Sequence, residues 1–126
     1  MTRFIVIDVK NVILIHDAVI GANELQGLAM NKSLEAALER VQNRLQYGFI
    51  SDAFDLAACY AIFLAKAHCF NDANKRTAAA VLFFILSANG VEIDFPGFAL
   101  GDWIIEIASD RKSEIEFANW LRGQVA

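Results

Sequence analysis

Two apolar segments, residues 54–65 and 78–88, leave almost no polar face for solvent. Helices that are apolar nearly all round need cover from other elements, so both belong in the middle of the molecule. The link between them carries His68, Cys69, Phe70, Asn71, Asp72, Ala73, Asn74, Lys75, Arg76 and Thr77. A candidate general base, a carboxylate, amide side chains and two cations thus fall between two buried segments. Polar groups in such a place are costly unless they are paired or used.

The remainder of the 126-residue chain fits one domain spanning 1–126, long enough to bury a core. Its 56% apolar content suits a core of nearly all-apolar helices. The formal net charge of −4 argues against nucleic-acid binding, which calls for a basic face. The link and its approach run against that balance. Lys66, Lys75 and Arg76 outnumber Asp72, a local positive spot suited to a small phosphate ligand. Cys59 and Cys69 make no disulfide framework and read as reduced thiols. Residues 4–7 are too short for a secretory core, and the longest apolar run, residues 78–86, is too short to cross a bilayer. The expectation is a cytoplasmic protein without a membrane partner.

One proline, few glycines and long helical periods predict an all-α fold. Residues 4–7 read as a strand or extended arm. Asp8 caps a helix that runs to about Ile20 and closes at Gly21, and residues 23–30 form a loop. Asn31 or Ser33 caps a second helix with the stripe Leu34, Leu38, Val41 and Leu45, ending at Gly48. Asp52 caps a third, running to about His68. A fourth starts near Asn74 and stops at Asn89 and Gly90. Residues 91–95 form a short extended piece, and Phe95-Pro96 breaks the chain. Gly97 or Gly101 leads to a fifth helix around residues 103–108, and a sixth spans about 113–121. Phe83, Phe84, Trp103 and Trp120 are expected in the core or at an interface. His16, outside any local motif, is expected to pack or face water.

The chemistry of the link follows from this layout. His68 ends one central helix and can take a proton near neutral pH. Phe70 anchors the link to the core. Asp72, just before the fourth helix, can cap it or hold Mg²⁺ jointly with nucleotide phosphates. Asn74, Lys75, Arg76 and Thr77 occupy the first turn, where free N–H groups and the helix dipole attract anions. Two cations there oppose their own helix, a cost that makes sense if a phosphate binds. Base, carboxylate and anion hole together suit phosphoryl or nucleotidyl transfer to a hydroxyl. No glycine-rich P-loop or protein-kinase motif is present.

The pattern H-x-F-x-D-A-N-K-R, met by His68, Phe70, Asp72, Ala73, Asn74, Lys75 and Arg76, resembles the signature of the death-on-curing (Doc) toxins, a branch of the Fic/Doc superfamily. His16-Asp17 and Arg40-Val41-Gln42 extend the likeness. The resemblance implies a bundle of about six helices around two central ones. It implies that His68 activates a hydroxyl on a protein target, Asp72 binds Mg²⁺, and the following helix start binds the phosphates of ATP. Lys66, Asn74, Lys75, Arg76 and Thr77 become the nucleotide-binding candidates. His68, Asp72 and Arg76 become the catalytic ones. The related Fic enzymes carry H-P-F-x-x-G-N-G-R-x-x-R and usually transfer AMP. Here Cys69 replaces the proline, Lys75 the glycine of the anion hole, and Ala79 the second arginine. The last two departures are shared with Doc toxins, which act as kinases on elongation factor Tu and block translation. Lys66 stands where an arginine is expected in Doc, keeping the charge without the planar fork. The resemblance also implies a Phd-like antitoxin whose disordered C-terminal segment threads a groove near the site. The rival readings are a Fic-type AMP transferase and a catalytically inactive helical module that only binds a partner.

Overall fold

A computed structural model describes residues 3–30, 32–94 and 97–125. Its helices are α1 (Val9–Val19), α2 (Leu34–Gln46), α3 (Ala53–Ala67), α4 (Asn74–Ala88), α5 (Gly97–Ala108) and α6 (Glu114–Arg122). The fold is all-α, and α3 and α4 form its centre. They pack on each other; α2, α5 and α6 also pack on α3, and α1 and α5 on α4. Small residues make that central contact possible: Ala57, Ala58, Ala61, Ala65 and Ala78 are fully buried. Around them pack Leu56, Tyr60, Leu64, Val81, Leu82, Ile85 and Leu86. No helix among the described residues is long and apolar enough to cross a membrane.

Local capping sets most boundaries. The side chains of Asp8, Ser33, Asp52 and Ser113 accept backbone N–H groups at the starts of α1, α2, α3 and α6. Asn31, the other candidate cap of α2, and the Phe95-Pro96 break lie outside the described residues. The N-terminal stretch is an arm rather than a strand. Ile5 exchanges two hydrogen bonds with the Asn89 side chain, at 2.8 and 3.0 Å, and the Ile7 N–H donates to the Tyr60 hydroxyl at 3.3 Å. Near the other terminus, Ile93 and Val125 form an isolated antiparallel bridge.

One expectation fails for an identifiable reason. The fifth helix begins at Gly97, well before Trp103. Leu100, Ile104 and Ile107, all buried, make a stripe that holds the helix through Gly101. A side chain at Gly101 would meet nothing, so its cost there is only backbone entropy, about 1 kcal/mol. Of the four aromatic residues expected in the core or at an interface, Phe83 and Phe84 lie at the surface of α4, 42% and 40% exposed. Trp103 and Trp120 do join a stacked cluster with Phe117, at centroid distances of 5.3–6.2 Å.

Candidate active site

The link between α3 and α4 is bracketed by two residues in left-handed backbone conformation. His68 (φ 50, ψ 45) ends α3 and Ala73 (φ 63, ψ 27) precedes α4. Such angles disfavour residues with a Cβ, and they persist only where the surroundings hold them. Three sets of contacts do so. The Asn74 side chain clasps Phe70, accepting its N–H at 3.0 Å and donating to its carbonyl at 2.9 Å. The α1–α2 loop runs alongside: Ala29 N–H donates to Cys69 O, Asn71 N–H to Gly27 O, and the Asn71 amide to Gln26 O and Leu28 O. Leu28 and Phe70 form an antiparallel bridge there. From α1, the fully buried His16 stacks its ring on Phe70, at 3.8 Å between centroids and 6° between planes. Its Nε2 lies 2.9 Å from the Asp72 carbonyl oxygen, and its Nδ1 lies 3.3 Å from Asp17 Oδ1.

The result is an open cavity of about 280 Å³ lined by His68, Asn71, Asp72, Ala73, Asn74, Lys75 and Arg76. His68 is exposed at its rim. Asp72 is not the expected helix cap. Its Oδ1 accepts the N–H of Ala73, the next residue, at 2.9 Å, and Ala73 holds the N-cap position with no capping side chain. Among the described residues, the N–H groups of Asn74, Lys75 and Arg76 find no acceptor. Lys75 is exposed and makes no ion pair among the described residues. The start of α4 is therefore a cluster of unsatisfied donors carrying a cation.

Other candidates are placed differently. Arg76 donates to the Val19 carbonyl at 3.1 Å and pairs with Glu24. The Arg76 hydrogen bond, seconded by the Gly21 amide, holds the Glu24 carboxyl below the usual range. Thr77 is buried and donates its hydroxyl to Ala73 O within its own helix at 2.8 Å, so it does not line the cavity. The Asn74 amide is engaged with Phe70, so its side chain orders the link. Lys66 pairs with Asp110 in a separate cavity beside α2 and α6, away from the link. Cys69 is buried, and burial pushes its thiol up; burial likewise pushes Cys59 up to about 12. Both are buried free thiols, an environment that disfavours the reactive thiolate.

His16 packs, one of the two roles expected of it, but its contact with Asp72 was not foreseen, and Glu24 was not singled out by the sequence. Each meets the link more than 50 residues away along the chain, His16 at Asp72 and Glu24 at Arg76. No local pattern signals either contact.

The family model described as Fic/DOC family matches residues 6–86, from before α1 to near the end of α4. Protein kinase doc of Escherichia phage P1 is 37% identical to this chain over 114 residues, covering 90% of each protein.

Proposed function

The chain belongs to the Fic/Doc family, and from that premise we propose that it is a Doc-type toxin of a toxin–antitoxin pair. In this reading it is a cytoplasmic kinase that uses ATP and Mg²⁺ to phosphorylate a hydroxyl residue of elongation factor Tu, blocking translation. The observation that carries the reading is the uncapped start of α4, with three unsatisfied N–H groups and Lys75, facing one cavity with His68.

Phosphates laid on that helix start would meet backbone donors, the dipole and the Lys75 ammonium. The His68 imidazole takes the proton of the acceptor hydroxyl as its oxygen bonds to the γ-phosphorus. The bond from that phosphorus to the β–γ bridging oxygen breaks, and ADP leaves. Asp72 fits Mg²⁺ of the kind shared with phosphates. It is a single carboxylate whose second oxygen accepts no hydrogen bond among the described residues, and no cluster of three ligating side chains accompanies it there. Magnesium there would neutralise charge on the phosphates. Arg76 shares its guanidinium between Val19, Glu24 and any phosphate it would contact. Thr77 and Lys66 have no direct part in this reading.

The partner reading draws on a second cavity, about 260 Å³, between α4 and α5. It is lined by Lys75, Arg76, Ala79, Gly101, Ile104 and Ile105. A Phd-like segment threaded there would lie against Lys75 and Arg76 and block the phosphate site.

The test is to incubate the protein with ATP, Mg²⁺ and elongation factor Tu and weigh the factor. A gain of about 80 Da is expected, for phosphate; about 329 Da would mean AMP transfer. No gain with metal present would leave a partner-binding module.

A further inference from the structure

His16 and Thr77 are the buried polar side chains, among the described residues, that the proposed chemistry leaves unused; Thr77 bonds back to Ala73, whereas His16 reaches the link from α1. Its Nε2 sits 2.9 Å from the Asp72 carbonyl oxygen. A carbonyl oxygen only accepts, so Nε2 carries the hydrogen. That carbonyl belongs to the peptide joining Asp72 to Ala73, and the other end of the same peptide is also engaged. Its N–H, from Ala73, donates to Asp72 Oδ1 at 2.9 Å. The peptide is trans and planar, so its C=O and N–H point in opposite directions, and fixing one fixes the other.

We propose that His16 positions the Asp72 carboxylate through this one peptide plane. Nε2–H grips the carbonyl, the plane aims the Ala73 N–H, and that N–H holds Oδ1. The other carboxylate oxygen is left for a metal–phosphate ligand. Ala73 makes the grip necessary. Its φ of 63° is unfavourable for a residue with a Cβ. A flip of the Asp72–Ala73 peptide would return Ala73 toward ordinary angles. The same flip would turn the carbonyl away from His16 and the N–H away from Oδ1. Stacking on Phe70 fixes the imidazole plane, so the donor is held at the right place to oppose the flip. His16 does not itself line the cavity; it acts through Asp72, and is a positioning residue. The consequence for magnesium rests on the function proposed above; the peptide geometry does not.

The experiment compares His16→Gln, His16→Asn and His16→Leu with the parent. A glutamine amide reaches as far as Nε2, an asparagine stops one bond short, and leucine has no donor. Two readouts are taken on the full chain: the ¹⁵N shift and relaxation of the Ala73 amide without ligand, and calorimetric affinity for ATP with and without Mg²⁺. The Leu and Asn variants are expected to shift and broaden Ala73 and to weaken the Mg²⁺-dependent part of ATP affinity by about tenfold or more. The Gln variant is expected to recover both. A packing role would instead follow melting temperature, with Gln no better than Asn. Parent-like Ala73 signals in the Leu or Asn variant would overturn the proposal, as would Gln failing to rescue. Should Leu fail to fold, the Gln–Asn pair decides. A parent protein that binds no Mg²⁺–ATP would sink the kinase reading, while the Ala73 amide still tests His16.

Discussion

The two central helices begin in opposite ways. At the start of α3, Asp52 accepts the Asp55 N–H at 2.9 Å, and Arg122 from α6 closes over it with hydrogen bonds at 2.8 and 3.1 Å and another to Asp55. Acid, donor and cation satisfy one another. At the start of α4 the N-cap is an alanine in left-handed conformation, the first turn holds two cations and no acid, and its donors point at an open cavity. These helices have the same length and similar composition, so helix propensity does not explain the difference. One end is finished by the protein itself; the other leaves its first N–H groups without an acceptor among the described residues. Local rules of stability are obeyed at the first end and broken at the second, which is the pattern expected where function sets the sequence.

The largest break in this contrast should come from His68→Ala. Removing a general base loses about 10² to 10⁴ in transfer rate, and the exposed side chain should leave the melting temperature unchanged. A parent-like rate in single-turnover phosphorylation would remove His68 from the mechanism.

Lys75→Gly acts on the anion itself. Loss of one charge-assisted contact should lower kinase activity by about 10- to 100-fold, and glycine should weaken the first turn of α4 by about 1 kcal/mol. Space for AMP-type binding reopens, but Ala79 gives no second arginine, so only a trace of AMP transfer is expected. A folded variant phosphorylating at the parent rate would show that this lysine does not orient the nucleotide.

Asp52→Ala tests the finished end. It should destabilise the fold by about 1–2 kcal/mol, the worth of a good cap, with transfer unaffected at temperatures where the protein stays folded. Burial raises the Asp52 carboxyl, but Arg122 and the Asp55 and Phe54 N–H groups outweigh it, leaving its pKa below the ordinary value. A carboxyl lowered in the folded state stabilises fully above its unfolded pKa, and that stability is lost as pH falls through the folded one. Denaturant titrations should therefore show a shallower loss of stability on acidification in the alanine variant than in the parent.

The smallest effect is expected from Glu24→Gln. It removes the carboxylate paired with Arg76; in the proposed kinase this frees the guanidinium for phosphate, so ATP affinity should rise by roughly two- to fivefold, the worth of an exposed pair. A fall in affinity would mean that Glu24 holds Arg76 in place for the ligand.

What the sequence reveals divides along the same line. Asp8, Ser33 and Asp52 are readable as caps because a cap acts within three residues of itself; Ser113, expected as the first residue of the sixth helix, is its cap. The central pair is readable because residues 54–65 and 78–88 lack a polar face. The motif placed His68, Asp72, Lys75 and Arg76 around one cavity. The partners of Arg76, Lys66 and Asp72 were not readable: Glu24, Asp110 and His16 lie 44 to 56 residues away in sequence. The role of Thr77 was misjudged for a local reason, since a first-turn hydroxyl can equally bond back to its own helix.

The pairing of residues 26–29 with residues 69–71 also has a consequence for folding order. Helices α1 to α4 can each form from neighbours in sequence, but the link between α3 and α4 gains its loop partner only when two distant segments meet, a slow class of contact. A chain still being made on a ribosome has His16 long before Asp72. If its activity is to stop ribosomes, the enzyme that emerges stays harmless to its own synthesis until α4 has been released and docked.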